Sequence, residues 1–158
     1  MTTSTNPTNA PIARNEDDAN MNSQFRIFQP IRPEGSEMEI EGAWSIANQA
    51  SYGGSMLRRN RERLIKHIDA GNFLLVGVMS GKGMTLEDVF GNGQHGSTNW
   101  TARHGSVATA YTDIGEGKVV PAATSVSQGN IIVNEKNERF IVADFGFINI
   151  DTGDKVAQ

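Results

Sequence analysis

Hydrophobic residues recur at helical spacing most clearly between Met56 and Ala70. A helix turns by about 100° per residue, so apolar residues three, four and seven positions apart share one side. The apolar residues on this stripe are Leu57, Leu64, Ile65 and Ile68. Ser55 is a residue type that caps helices, and Gly71-Asn72 can supply a left-handed stop. The pattern predicts an amphipathic helix whose stripe faces a core.

Other apolar segments are short and bounded by turn residues, which is typical of strands. The predicted strands are Glu37 to Ile46, Phe73 to Met79, one or two irregular edge strands within Tyr111 to Val126, and a C-terminal hairpin with a third strand behind it (Ile131 to Val133, Phe140 to Ala143, then Phe145, Phe147 and Ile148 to Ile150 around Gly146). The predicted fold class is α+β. One amphipathic helix packs on a mainly antiparallel sheet or small barrel, preceded by an extended, disordered-type N-terminal arm.

The arm comprises residues 1–24, which contain no aromatic residue and are rich in Thr, Ser, Asn and Asp. Such a composition buries too little apolar surface to offset the entropy lost on ordering. Residues 25–158 are predicted to form a single domain. At the base of the arm lie four apolar residues that we expect to dock on a neighbouring subunit: Phe25, Ile27, Phe28 and Ile31.

Charge is unevenly distributed along the chain, whose formal net charge is −4. Residues 58–66 hold five cations, Arg58, Arg59, Arg61, Arg63 and Lys66, against Glu62, so this window alone carries +4. A basic helix in an acidic protein can receive an acidic protein surface or nucleic acid. Nucleic acid is the less favoured partner, because the domain is not strongly basic and no aromatic residues are interleaved with the cations.

Arg61 falls inside the apolar stripe of this helix. An unpaired guanidinium is costly to bury, so its side chain must either extend outward along its own stem or pair with a carboxylate. We take a buried or half-buried ion pair as the expectation.

The segment "GVMSGKGMT" from Gly77 to Thr85 resembles a phosphate-binding loop only superficially. A Walker loop needs four residues between its glycines and a Ser or Thr directly after the lysine. Here three residues separate Gly77 from Gly81, and Lys82 is followed by Gly83. We therefore predict a turn and no nucleotide site.

The Gly- and Asn-rich stretch after this turn is predicted to be a long loop. It carries His95 and His104, which with Asp88 or Asp113 are the candidate metal or acid–base cluster. Their spacing matches no recognised site, so no metal or cofactor is expected. Trp100 between them is predicted to anchor the loop to the core or to a partner.

The absence of cysteine excludes thiolate catalysis, disulfides and cysteine zinc sites. No apolar run reaches membrane-spanning length, and the N-terminus lacks a signal-peptide pattern, so we expect no membrane association and a cytoplasmic or virion location. The favoured function is a non-enzymatic structural or assembly protein, a homo-oligomer or a subunit of a larger particle such as a bacteriophage capsid, decoration or tail. The alternatives are a small enzyme or ligand- or metal-binding domain using the His95/His104 loop, and a nucleic-acid-associated protein acting through the basic helix 56–70.

Overall fold

The structure is a computed structural model that describes residues 23–31, 42–94, 100, 111–113, 119–121 and 124–156. Its helices are α1 (Ala43–Ala50), α2 (Gly54–Asp69) and α3 (Leu86–Asn92). Its strands are β1 (Ser23–Pro30), β2 (Phe73–Gly81), β3 (Tyr111–Asp113), β4 (Val119–Pro121), β5 (Ile131–Val133), β6 (Arg139–Val142) and β7 (Phe147–Asn149).

Five of the strands form one antiparallel sheet in the order β2-β1-β5-β6-β7, and β3 pairs with β4 separately. The α+β class and the antiparallel pairing are thus as predicted. So is the C-terminal meander, in which β5, β6 and β7 pair with their sequence neighbours. Strand β1, the second strand of the sheet, was not predicted, because it is built from the segment assigned to the base of the arm.

Both faces of the sheet are covered. Helices α1 and α2 pack on one face, where Phe28, Ile131 and Ile141 point toward them. Helix α3 and Trp100 pack on the other, against Ile27 and Ile132. The sequence of a strand that is buried on both faces is a continuous run of apolar residues, without alternating polar positions. The prediction of one helix on a sheet is corrected to a sheet between two helical layers.

The predicted strand from Glu37 to Ile46 is wrong where the structure describes it, because Ala43 to Ile46 lie in α1. The inner side of this helix is formed by Ala43, Ile46, Ala47 and Ala50, whose spacing of three and four residues is helical. The alternation of Glu37, Glu39 and Glu41 with apolar residues suggested a strand, but those positions lie outside the described residues.

Helix α2 confirms the predicted helix 56–70 closely. Its start differs, since Ser55 lies inside the first turn and the N-cap is Gly53, with no side-chain cap. Its end is as predicted, because Gly71 adopts a left-handed conformation with φ of 81°. Leu57, Leu64 and Ile68 are buried as expected, and Ile65 is only partly buried.

Helix α3 occupies part of the predicted long loop. Its first turn is closed by a capping box in which the Thr85 amide donates to Asp88 Oδ2 (2.9 Å) and the Asp88 amide donates to Thr85 Oγ1 (3.2 Å). The pattern Thr-x-x-Asp is a sequence signal for a helix start, and the prediction of a long loop missed it.

Candidate interaction surface

The apolar residues expected to dock on a neighbour are part of the chain's own core. Phe25, Ile27 and Phe28 are buried in β1, which pairs with β2 on one side and β5 on the other. Ile31 is partly buried, and its amide donates to Asn72 O (3.0 Å). The burial of these side chains in the sheet means that they offer no exposed apolar cluster for the predicted docking on a neighbouring subunit.

Trp100 is fully buried, which agrees with its predicted role as an anchor to the core. Its indole Nε1 donates to Thr124 O (2.7 Å), and its ring lies on β2 where Gly77 leaves room. A Cβ at Gly77 would fall 2.5 Å from Trp100 Cη2, so only glycine fits. Trp100 is consequently not part of an exposed binding surface.

The predicted turn after β2 is confirmed as a turn at Lys82 and Gly83. The Asp88 carboxylate, considered above as a metal ligand, is hydrogen-bonded to the Thr85 amide in the capping box. His95, His104 and the side chain of Asp113 lie outside the described residues, so the loop alternative stays a prediction. Within the described part of the chain, no three His, Asp or Glu side chains are grouped as metal ligands.

Two buried polar clusters that sequence inspection missed have structural roles. Gln29 Nε2 donates to Thr124 O and to Asn130 Oδ1, both at 3.0 Å, which ties β1 to the segment before β5. Arg139 is buried in β6 and forms a bidentate ion pair with Asp151.

Burial also lowers the pKa of Arg26, whose guanidinium lies 5.9 Å from the centroid of the Phe28 ring. None of these groups forms an open site.

The cations of α2 lie mainly on its outer side. Arg58, Arg59, Arg63 and Lys66 are exposed, and Lys66 Nζ lies 3.8 Å from Glu62 Oε1. We call the exposed stripe of Ser55, Arg58, Arg59, Glu62, Arg63 and Lys66 the outer face of α2. It is separate from the buried stripe of Leu57, Leu64 and Ile68.

Arg61 lies at the border between the two sides and is partly buried. The expected ion pair is absent among the described residues, where no carboxylate lies within ion-pair distance and the buried Nε has no hydrogen-bond partner. Its guanidinium packs over the turn after β7, since a Cβ at Gly153 would lie 2.8 Å from Arg61 Nη2. The side chain therefore extends along the surface, the first of the two possibilities considered above.

Two exposed aromatic side chains are carried by turns that touch each other. The Asp144 amide donates to Ser51 O (3.2 Å), joining the β6–β7 turn to the α1–α2 turn. Tyr52 directly follows Ser51, and its side chain is 62 % exposed. Phe145 directly follows Asp144, and its side chain is 82 % exposed. We call Tyr52 and Phe145 the turn patch.

No family model, curated protein or solved structure matches this chain.

Both turns that carry the patch are held by further hydrogen bonds. Ala143 N donates to Gly146 O and Phe145 N to Asp144 Oδ1, each at 2.9 Å. In the other turn, Gln128 Nε2 donates to Ser51 Oγ (2.8 Å), which in turn donates to Asn48 O (2.6 Å). The aromatic rings are thus carried on a backbone that is already ordered. The sequence signal was an aromatic beside glycine, in "SYGG" and "DFGF", but nothing in it placed the two turns together.

Proposed function

We propose that this chain is a non-enzymatic assembly protein that meets a neighbouring copy of itself through the turn patch. The observation that carries the proposal is the exposure of Phe145 beside Tyr52 on two hydrogen-bonded turns. Large aromatic side chains supply most of the binding energy in many protein interfaces. An anchor held on an ordered backbone loses little further entropy on binding, which favours association.

The charge of the outer face of α2 is a second observation that supports the same proposal. This face begins three residues after Tyr52 and carries a local positive charge, whereas the chain as a whole is acidic. A basic strip beside an aromatic anchor is complementary to an acidic surface of a neighbouring copy. Particles built from many copies of one subunit, including the capsid, decoration and tail components of bacteriophages, are the class in which we place the chain.

The N-terminal arm is proposed as a further contact with the neighbour. The basis is its polar composition, together with the start of β1 at Ser23, which joins the arm to an inner strand of the sheet. Because Ser23 pairs with Gly81, a deletion that removes the arm and spares the sheet must end at residue 22.

The test of the patch is the solution mass of the purified full chain by light scattering over a series of protein concentrations. We expect the wild type to associate, and the double variant Tyr52→Ser, Phe145→Ser to have the monomer mass with an unchanged melting temperature, because neither side chain is buried. The matched control is Phe90→Ser, which removes a partly exposed aromatic ring from α3 outside the patch. A wild type that stays monomeric, or a double variant that associates as the wild type does, would refute the proposal.

A further inference from the structure

Helices α1 and α2 form a compact two-helix unit. The three residues between them, Ser51 to Gly53, make a tight turn in which Gly53 N donates to Ala50 O (3.0 Å). Gly53 has φ of 72°, and a Cβ there would lie 2.7 Å from Ile148 Cδ1 on the sheet. The turn between the helices therefore depends on a backbone conformation that requires glycine at this position.

The element order and the three-residue turn match those of a helix-turn-helix. Two helices joined by a three- to four-residue turn that often contains glycine are the common unit for placing a second helix in the major groove of DNA. In this chain α1 is packed on the sheet through Ile46 and Ala47, and α2 is the second helix. The outer face of α2 points away from that core.

The chemistry of the outer face fits a phosphate backbone. Its exposed residues recur every three to four positions from Ser55 to Lys66, a stripe about 16 Å long at about 1.5 Å per residue. Arg58 and Arg59 form no ion pair or hydrogen bond with the residues that the structure describes. Guanidinium groups donate two parallel hydrogen bonds to phosphate or to guanine, so these two residues are suited to either contact.

We infer that the α1–α2 unit binds double-stranded DNA, with α2 in the major groove and Arg58 and Arg59 as its main contacts. From sequence alone, nucleic acid is the weaker alternative because the chain is acidic overall. The structure adds that the cations lie together on the exposed side of the second helix of this unit. B-form DNA is the expected duplex, because its major groove, about 12 Å wide, admits a helix, whereas that of A-form RNA is narrow and deep.

The test is fluorescence anisotropy of a labelled mixed-sequence DNA duplex titrated with the full chain at several salt concentrations. For the wild type we expect an affinity that falls steeply with salt. The double variant Arg58→Gln, Arg59→Gln should bind at least about tenfold more weakly at low salt, and the magnitude of its log-log salt slope should be smaller by about 2, near 0.9 for each lost phosphate contact.

The matched control is the double variant Lys82→Gln, Lys136→Gln, which removes the same charge from exposed positions away from α2. Its affinity and salt slope should equal those of the wild type, and an RNA duplex of the same sequence should bind more weakly than DNA. Circular dichroism melts establish that both variants are folded. No DNA binding by the wild type at low salt, or equal losses in the two double variants, would overturn the inference. The variant Tyr52→Ser, Phe145→Ser, which leaves the outer face of α2 intact, should bind the duplex as the wild type does, so failure here is distinguishable from failure of the proposed assembly contact.

Discussion

The side of α2 that meets the sheet holds Leu57, Leu64 and Ile68, whereas the side turned away holds Arg58, Arg59 and Lys66. The apolar residues and the cations both recur at helical spacing, so α2 has an apolar stripe on one side and a basic stripe on the other. The inner side is constrained by packing against Ile131, Ile141 and Ile148. The outer side is exposed to solvent, and its charged groups lie at the surface, where they can serve binding.

Asn60 shows that burial on α2 is decided by a residue's position on the helix and not by its polarity alone. It is fully buried on the inner side, where its Nδ2 donates to Met56 O (2.8 Å) and its Oδ1 has no hydrogen-bond partner. A buried acceptor without a partner is a cost that the surrounding apolar contacts must offset. Inner positions are therefore expected to respond to substitution through stability, and outer positions through binding.

The largest expected effect is that of Leu64→Ala, at a fully buried position of the inner side. Truncation removes buried apolar surface and leaves a cavity beneath α2, which typically costs about 3 kcal/mol. Urea unfolding followed by circular dichroism measures the loss. A change below about 1 kcal/mol would mean that α2 is not held by this stripe.

A smaller effect is expected for Arg61→Ala, at the border between the two sides. The substitution removes the contact of the guanidinium with the turn at Gly153 and also removes the unpartnered Nε, so the net change should be below about 1 kcal/mol. The same urea titration measures it. A loss of about 3 kcal/mol or more would restore the originally expected ion pair, because an orphaned carboxylate would then remain buried.

How much of the fold was predictable depended on the range of the interactions. Helix α2 and the β5–β6–β7 meander were predicted because helical period, glycine stops and short turns act between residues close in the chain. Strand β1 was missed because it is defined by pairing with β2 and β5, far along the chain. Pro30 and Pro33 instead suggested an extended arm.

The candidate surface was only half predictable. The cations of α2 could be placed on a helix from sequence, but their exposure depended on which stripe the sheet would cover. The turn patch could not be predicted at all. Tyr52 and Phe145 come together through one backbone hydrogen bond between Asp144 and Ser51, and backbone bonds between turns leave no residue pattern in the sequence.

The central claim is that the outer side of α2 contributes little to stability. Its most direct test compares the free energy of unfolding of the double variant Arg58→Glu, Arg59→Glu with that of the wild type in the same urea titration. One reversal places like charges four residues apart with Glu62 and the other places opposite charges four residues apart with Arg63, so their helical contributions should nearly cancel. We expect a change within about 0.5 kcal/mol, as is usual for exposed positions. A loss of about 2 kcal/mol or more would contradict the account, because the outer face would then be part of what holds the fold together.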